Sequence, residues 1–395
     1  ESTGKKPRTI NLGNSQIYLT SNSSYINTSE PSVTVNAGTS HFYFTTLNVN
    51  YAGMRNNANQ TYYDVTFDSP MGAILGGAKY NRVEFKGNGF LLDSNTFKNL
   101  IFSPTKTYTL QSDSTQTVTN LLSANTPQCG GWSTVTSNSS GLHASIVAAS
   151  GVTIDVSGVI MKDIKASGGA NFTAVNSVDN GNNIGWTFPA YVGQNLHWIG
   201  GSGNWNDKSH WSQTSGGVGG YCVPGPSDNT FFDAGSGFTN ANNTITIDNI
   251  SYTRNVTFSG STVAPILKQS GAQYLNIYGS SEWQSGMTDI LITYIYYRHT
   301  GEAKTIKSND VKINSEVFFE EENSISLIDD FYLKSRLTHV AGTWNTNGHK
   351  VTFETDYRTL GTKPKTINLG ASQIYLTSTS SFFDSSLLSV TVNAE

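Results

Sequence analysis

The sequence predicts an all-β protein built as a parallel β-solenoid, and three observations predict it. Short apolar-polar-apolar triplets recur along the chain, turn-forming Gly, Asn, Asp and Ser lie between them, and no helical periodicity of useful length is visible. The triplets of the first half are Ile17-Tyr18-Leu19, Val33-Thr34-Val35, Phe42-Tyr43-Phe44, Val65-Thr66-Phe67, Val83-Glu84-Phe85 and Leu100-Ile101-Phe102. Each reads as a short strand with alternate side chains pointing inward. The last three begin at 65, 83 and 100, a spacing of 18 and then 17 that suits one solenoid coil. The second half continues with Ile245-Thr246-Ile247, Val256-Thr257-Phe258, Leu275-Asn276-Ile277, Val311-Lys312-Ile313, Ile325-Ser326-Leu327 and Val351-Thr352-Phe353. Tandem antiparallel β-sandwiches are the alternative, since they also use many short strands separated by turns. The brevity of the strands and their spacing favour the solenoid.

Composition says that the chain folds and narrows what it does. Ser, Thr and Asn make up 133 of 395 residues, yet 45 aromatic rings remain, which a disordered polar tract would lack. With 24 basic against 28 acidic side chains, a net charge of −4 and no Lys/Arg block, the electrostatic footprint of a nucleic-acid binder is missing. No apolar run is long enough to span a membrane as a helix. Residues Glu1 to Arg8 carry no apolar leader and no initiator Met, so a signal peptide is expected to have been removed or to lie outside this piece.

An internal duplication sets the organisation. Lys6-Pro7-Arg8-Thr9-Ile10-Asn11-Leu12-Gly13 returns as Lys363-Pro364-Lys365-Thr366-Ile367-Asn368-Leu369-Gly370, and Ser15 to Ser21 returns as Ser372 to Ser378. Ser32-Val33-Thr34-Val35-Asn36-Ala37 returns as Ser389 to Ala394. The offset is 357 without a gap, and 24 of the 38 residues in 1–38 are identical to their partners in 358–395. Near-verbatim copying over such a distance exceeds what a structural rung requires, so the chain is expected to be one period of a tandem array plus the start of the next. Three regions are expected: 1–128, β-rich; 129–190, a Ser/Gly/Asn-rich segment closing the unit; and 191–395, the next unit, with a Trp/Gly-rich start at 197–233 and then β-rich rungs. Pro189 to Asn195 is the expected junction.

The Trp/Gly-rich start carries a resemblance. Gly200-Gly201-Ser202-Gly203-Asn204-Trp205-Asn206-Asp207, His210-Trp211-Ser212, Val223-Pro224, and Asp228-Asn229 through Phe232-Asp233 resemble the repeat unit of giant surface adhesins from gliding Bacteroidota. Gly342-Thr343-Trp344-Asn345-Thr346-Asn347-Gly348, Asn368-Leu369-Gly370 and the Asn176 to Trp186 segment are similar to it too, in the family's order. The resemblance implies a secreted cell-surface or appendage protein, exported by the type IX system and acting in adhesion, gliding or prey capture. It supplies no catalytic residues. The C-terminal sorting domain of such proteins is not among these residues, as expected of an internal segment.

Candidate sites follow from residue chemistry. Cys129 and Cys222 are the two thiols, and an extracellular location permits a disulfide between them, with two buried thiols as the alternative. Asp207, Asp228 and Asp233 sit in a Gly/Asn-rich stretch that offers oxygen ligands, so calcium is the possible cofactor; against it, Asp in turns usually bonds its own backbone. Ile290 to Arg298 reads as one strand apolar on both faces, making Tyr294, Tyr296 and Tyr297 a candidate interaction patch for another protomer or a covering loop. Trp198, Trp205 and Trp211 either stack on sugars or pack the junction. Paired carboxylates at Asp329-Asp330 read as a strand edge or turn rather than a glycosidase pair, and Glu320-Glu321-Glu322 reads as a solvated loop. No catalysis is expected; self-association and a glycan or cell-surface ligand are.

Overall fold

The computed structural model describes residues 6–21, 24–46, 52–57, 60–127, 129, 131–189, 193–288 and 290–394. Strand accounts for 48% of the chain and helix for 2%, wound into a parallel β-solenoid of about 17 turns. The parallel pairing excludes the sandwich. A parallel pair needs a long crossover, and here each crossover is itself made of strands belonging to the other faces of the coil. Two compact units, Glu1–Tyr191 and Val192–Glu395, divide the chain inside the expected Pro189 to Asn195 junction.

In the first unit the main sheet stacks Arg8–Asn11, Val33–Asn36, Thr61–Phe67, Lys79–Phe85, Asn95–Phe102, Thr115–Asn125, Ala144–Ala148 and Ile164–Ser167 in parallel. A second sheet runs from Tyr25–Asn27 through Met71–Leu75 and Thr107–Leu110 to Val178–Asp179. The long central strands span what are two separate faces at either end. Thr61–Phe67 pairs with Val33–Asn36 at its start and with His41–Phe44 at its finish, and Thr115–Asn125 likewise accepts both Ala144–Ala148 and Thr153–Ser157. The spacing of the triplets is the coil itself, because Val65, Val83 and Leu100 stand in one register.

Residues 133–179, which lack an obvious strand pattern in the sequence, hold further coils. Their inward positions are mostly small or aliphatic, among them Ala144, Ile146, Ala148, Val156, Val159, Ile164, Ala166 and Ala174, all buried. Small inward residues leave only a faint hydrophobic alternation.

The second unit has three sheets with sharper corners. The first runs through Asn195–Trp198, Asn229–Phe232, Val256–Phe258, Ser281–Glu282, Lys304–Lys307, Ser324–Leu327, Gly342–Asn345, Lys365–Asn368 and Val390–Asn393. The second runs from Gly203–Asn204 to Ile374–Leu376, and the third from Ser251–Thr253 to Tyr357–Thr359. Ile290 to Arg298 is not one strand. It breaks into Ile290–Leu291 and Tyr294–Tyr297 on different sheets, so a corner at Ile292-Thr293 turns Ile290, Ile292, Ile295 and Tyr297 all inward. The apolar run is therefore accounted for by a bend, with Leu291 and Tyr294 facing out.

Stacked asparagines stitch successive coils. Asn393 donates to Asn368 Oδ1 at 2.7 Å, Asn368 to Asn345 at 2.7 Å, and Asn36 to Asn11 at 2.7 Å. A second column joins Asn255 to Asn229 and Asn229 to Asn195. Identical amides one above another satisfy each other's donors and acceptors along the ladder.

Candidate functional site

The outer side of the third sheet of the second unit carries an aromatic stripe. In-register pairing places Tyr252, Asn276, Tyr296, Phe318, Thr338 and Arg358 in one row. Tyr296 stacks on Phe318 with centroids 4.6 Å apart, and the rings of Tyr274 and Tyr294 meet these two at their edges and at a tilt. Arg298 lies 4.0 Å over the Tyr296 ring and donates to Glu320 at 2.5 Å and Asn276 at 2.6 Å. That places a fixed guanidinium and carboxylate beside half-exposed rings, an arrangement suited to a planar or sugar-like face. Of the three expected patch residues, Tyr294 is exposed, Tyr296 half-buried, and Tyr297 buried with its hydroxyl 2.6 Å from that of Ser281. Arg298, at the end of the apolar run, completes the stripe together with Phe318, which was missed because only coil register brings positions about 20 residues apart together.

The Trp/Gly-rich start folds as a cap. Asn195–Trp198 pairs antiparallel with Trp211–Ser212, and this pair closes the edge of an otherwise parallel sheet. Trp198, Trp205 and Trp211 are fully buried and surround Phe232 at centroid distances of 5.7, 5.6 and 5.8 Å. Trp198 Nε1 donates to Gly201 O and Trp211 Nε1 to Trp205 O, both at 2.7 Å. These indoles are core and leave no open face for a sugar. His210 stacks on Trp198 at 4.6 Å, and a Cβ at Gly203 would meet its ring at 2.0 Å, which requires glycine there.

The three aspartates do structural work at the same end. Asp207 caps a short 3-10 turn by accepting from Ser209 N–H, which holds its carboxyl below the usual range. Asp228 is buried, which pushes its pKa up, and it accepts from Gln194 and Gly225 N–H at 2.9 Å each. Burial works against the Asp233 charge too, but hydrogen bonds from Ser215, His197 and Gly235 hold its pKa down. They are not brought together: among the described residues no group of three or more His, Cys, Asp or Glu side chains is placed to hold a metal.

The acidic run near 321 is no solvated loop. Glu320 pairs with Arg298, Glu322 with Lys363, and Glu321 is buried against Lys304, whose side chain is equally buried. Glu321 also accepts from Thr300, Gly301 and Asn323 N–H groups. Although burial opposes its charge, His299 and Lys304 hold its carboxyl far below the usual range. Asp329 accepts from Ser308 and Asn309 N–H at 2.6 Å, and Asp330 from Lys350 N–H at 2.9 Å, so both staple neighbouring coils. Cys222 is buried in the second core, Cys129 sits on an exposed turn at φ 65, and neither is a free thiol. No protein-family model, curated protein or solved structure compared with the chain matches it. No helix among the described residues is long and apolar enough to cross a membrane.

Proposed function

We propose that this chain is a structural and adhesive tandem-repeat segment of a giant extracellular surface protein, which builds a filament or adhesin for attachment, gliding or prey capture. The single observation that carries this reading is the return of one rung, with 24 of 38 residues identical, after 357 residues. Repetition at that fidelity multiplies length, and stacked coils turn length into reach, because each coil bonds only its neighbours along the axis. The low charge and the Ser, Thr and Asn content suit the outward turns of such a rod. Export through the type IX route rests on the resemblance of the Trp/Gly-rich motifs. Cys129 and Cys222 are proposed to pair as one staple per repeat; alkylation of unreduced protein that adds two labels would refute the pairing. Electron microscopy of the isolated protein tests the main reading: long fibres with a regular axial repeat are expected, and monodisperse globules would overturn it.

A second reading, a carbohydrate-binding array, is favoured by the stripe of Tyr274, Tyr294, Tyr296 and Phe318 beside Arg298. Glycan-array binding that disappears in Tyr296→Ala would establish it, and an empty array would remove it.

A further inference from the structure

The duplicated segment forms the same rung in both units. Arg8–Asn11 pairs with Val33–Asn36 in the register of Lys365–Asn368 with Val390–Asn393. The turns match, with Gly13 at φ 58 and Gly370 at φ 53. So do the bonds: Tyr18 donates to Gln16 Oε1 at 3.0 Å and Tyr375 to Gln373 Oε1 at 2.8 Å, while Leu12 N–H reaches Asn36 O as Leu369 N–H reaches Asn393 O.

What differs is which side is covered. In the second unit Gly342–Asn345 lies on Lys365–Asn368, and Ile367 is 0% exposed; its counterpart Ile10 is 38% exposed. In the first unit the next coils lie on the rung, and Val35 is 8% exposed; its counterpart Val392 is 41% exposed. Each copy of the rung thus shows the side that the other copy has buried, and the covering strand in one copy states what fits the bare side of the other. His41–Phe44 covers Gln16–Leu19, with Tyr43 stacked on Tyr18 at 4.8 Å. In the equivalent strand of the second unit, Ile374–Leu376, Leu376 is exposed where Leu19 is half-buried, while Tyr375 faces out as Tyr18 does.

We infer that the shared rung is the seam of one continuous solenoid, in which residues 193–394 of one copy run directly into residues 38–189 of the next. The partner of the bare Ile374–Leu376 and Val390–Asn393 edge is therefore a second copy of this chain, beginning with its His41–Phe44 strand seated so that Tyr43 stacks on Tyr375. On this assignment the physical module starts at the tryptophan cap and ends near residue 189, out of phase with the numbering used here. The inference rests on the tandem-array reading.

The test extends the full chain, replacing Glu395 by a second copy of 38–191, and follows hydrogen exchange in Ile374–Leu376 and Val390–Asn393. Exchange there is expected to slow by at least about tenfold relative to the unextended chain. A variant with one glycine inserted at the joint shifts the alternation of side chains and is expected to lose that protection while the appended coils keep their own. Unchanged exchange in the extended chain, with the appended coils folded by their own protection, would overturn the seam. A fibre seen by microscopy together with unprotected strands would remove the seam and leave the filament standing.

Discussion

The two units solve the same stacking problem with different interiors. The first stacks rings: Phe44, Phe67 and Phe85 follow one another at 4.9 and 4.7 Å, and Tyr62, Tyr80 and Phe97 at 5.5 and 5.3 Å. The second stacks rings too, with Phe232, Phe258 and Trp283 at 4.1 and 5.6 Å, but sets beside them an in-register aliphatic column of Leu267, Ile290, Ile313 and Leu333 and buries ionisable groups at its corners, among them Lys304, Glu321, His339 and Lys365. Coil length follows suit. Successive partners in the first unit lie 17 to 32 residues apart, while after the cap the second unit keeps to 19 to 26. The ring stacks of the first unit lie in coils of 17 to 23 residues, while its coils of 30 to 32 residues pack Val118, Leu122, Ala148 and Val156; in the second unit the short strands bring polar groups to the corners, where each is held by a polar partner.

That contrast can be broken from either side. Phe67→Ala removes a ring held between two others and is expected to cost about 3–5 kcal/mol in denaturant unfolding, against roughly 2–5 kcal/mol for Ile313→Ala. Lys304→Met strands a buried carboxylate and is expected to cost about 3–5 kcal/mol, most of it recovered in Lys304→Met/Glu321→Leu. If the double variant is as unstable as the single one, corner charge is not what the second unit depends on.

Acid sharpens the contrast further. His339 is buried, which lowers its pKa to about 4, and its Nε2–H donates to Ala341 O at 2.9 Å while Nδ1 accepts from the Tyr357 hydroxyl at 2.8 Å. The unfolded chain takes up this proton near pH 6.5 and the folded one only near 4, so stability is full above the unfolded value and falls as pH drops through that window. About 2 kcal/mol is expected to go between pH 7 and 5, and His339→Gln is expected to flatten the slope. The smallest effect is Asn368→Ala, which opens the middle of an amide column and is expected to cost about 0.5–1.5 kcal/mol in the same assay.

Much of the coil was legible in the sequence, because an inward Val, Ile or Phe every second residue is a strong signal wherever the side chains are large. Around Ala144, Ala148 and Ala166 that signal fades although the backbone does the same thing. At Ile290 to Tyr297 the opposite happened, since a corner reset the alternation and imitated a strand buried on both faces. The acidic run at Glu320 to Glu322 looked solvated because its partners Arg298, Lys304 and Lys363 lie 17 or more residues away in sequence. The aromatic stripe was half legible for the same reason: Tyr294 and Tyr296 are adjacent to the eye, and Phe318 only to the ladder.

The tryptophan cap has a consequence for cooperativity. An uncapped solenoid is a one-dimensional lattice in which order spreads from any coil to its neighbours and unravelling travels equally far. The antiparallel Asn195–Trp198 and Trp211–Ser212 pair ends the parallel pairing of the first sheet of the second unit. In the tandem array proposed above, one such stop per 357 residues would divide a long chain into blocks that melt separately. Under the proposed function, such an array would lose a block under load and keep the rest, as a rope of short splices holds when one splice slips.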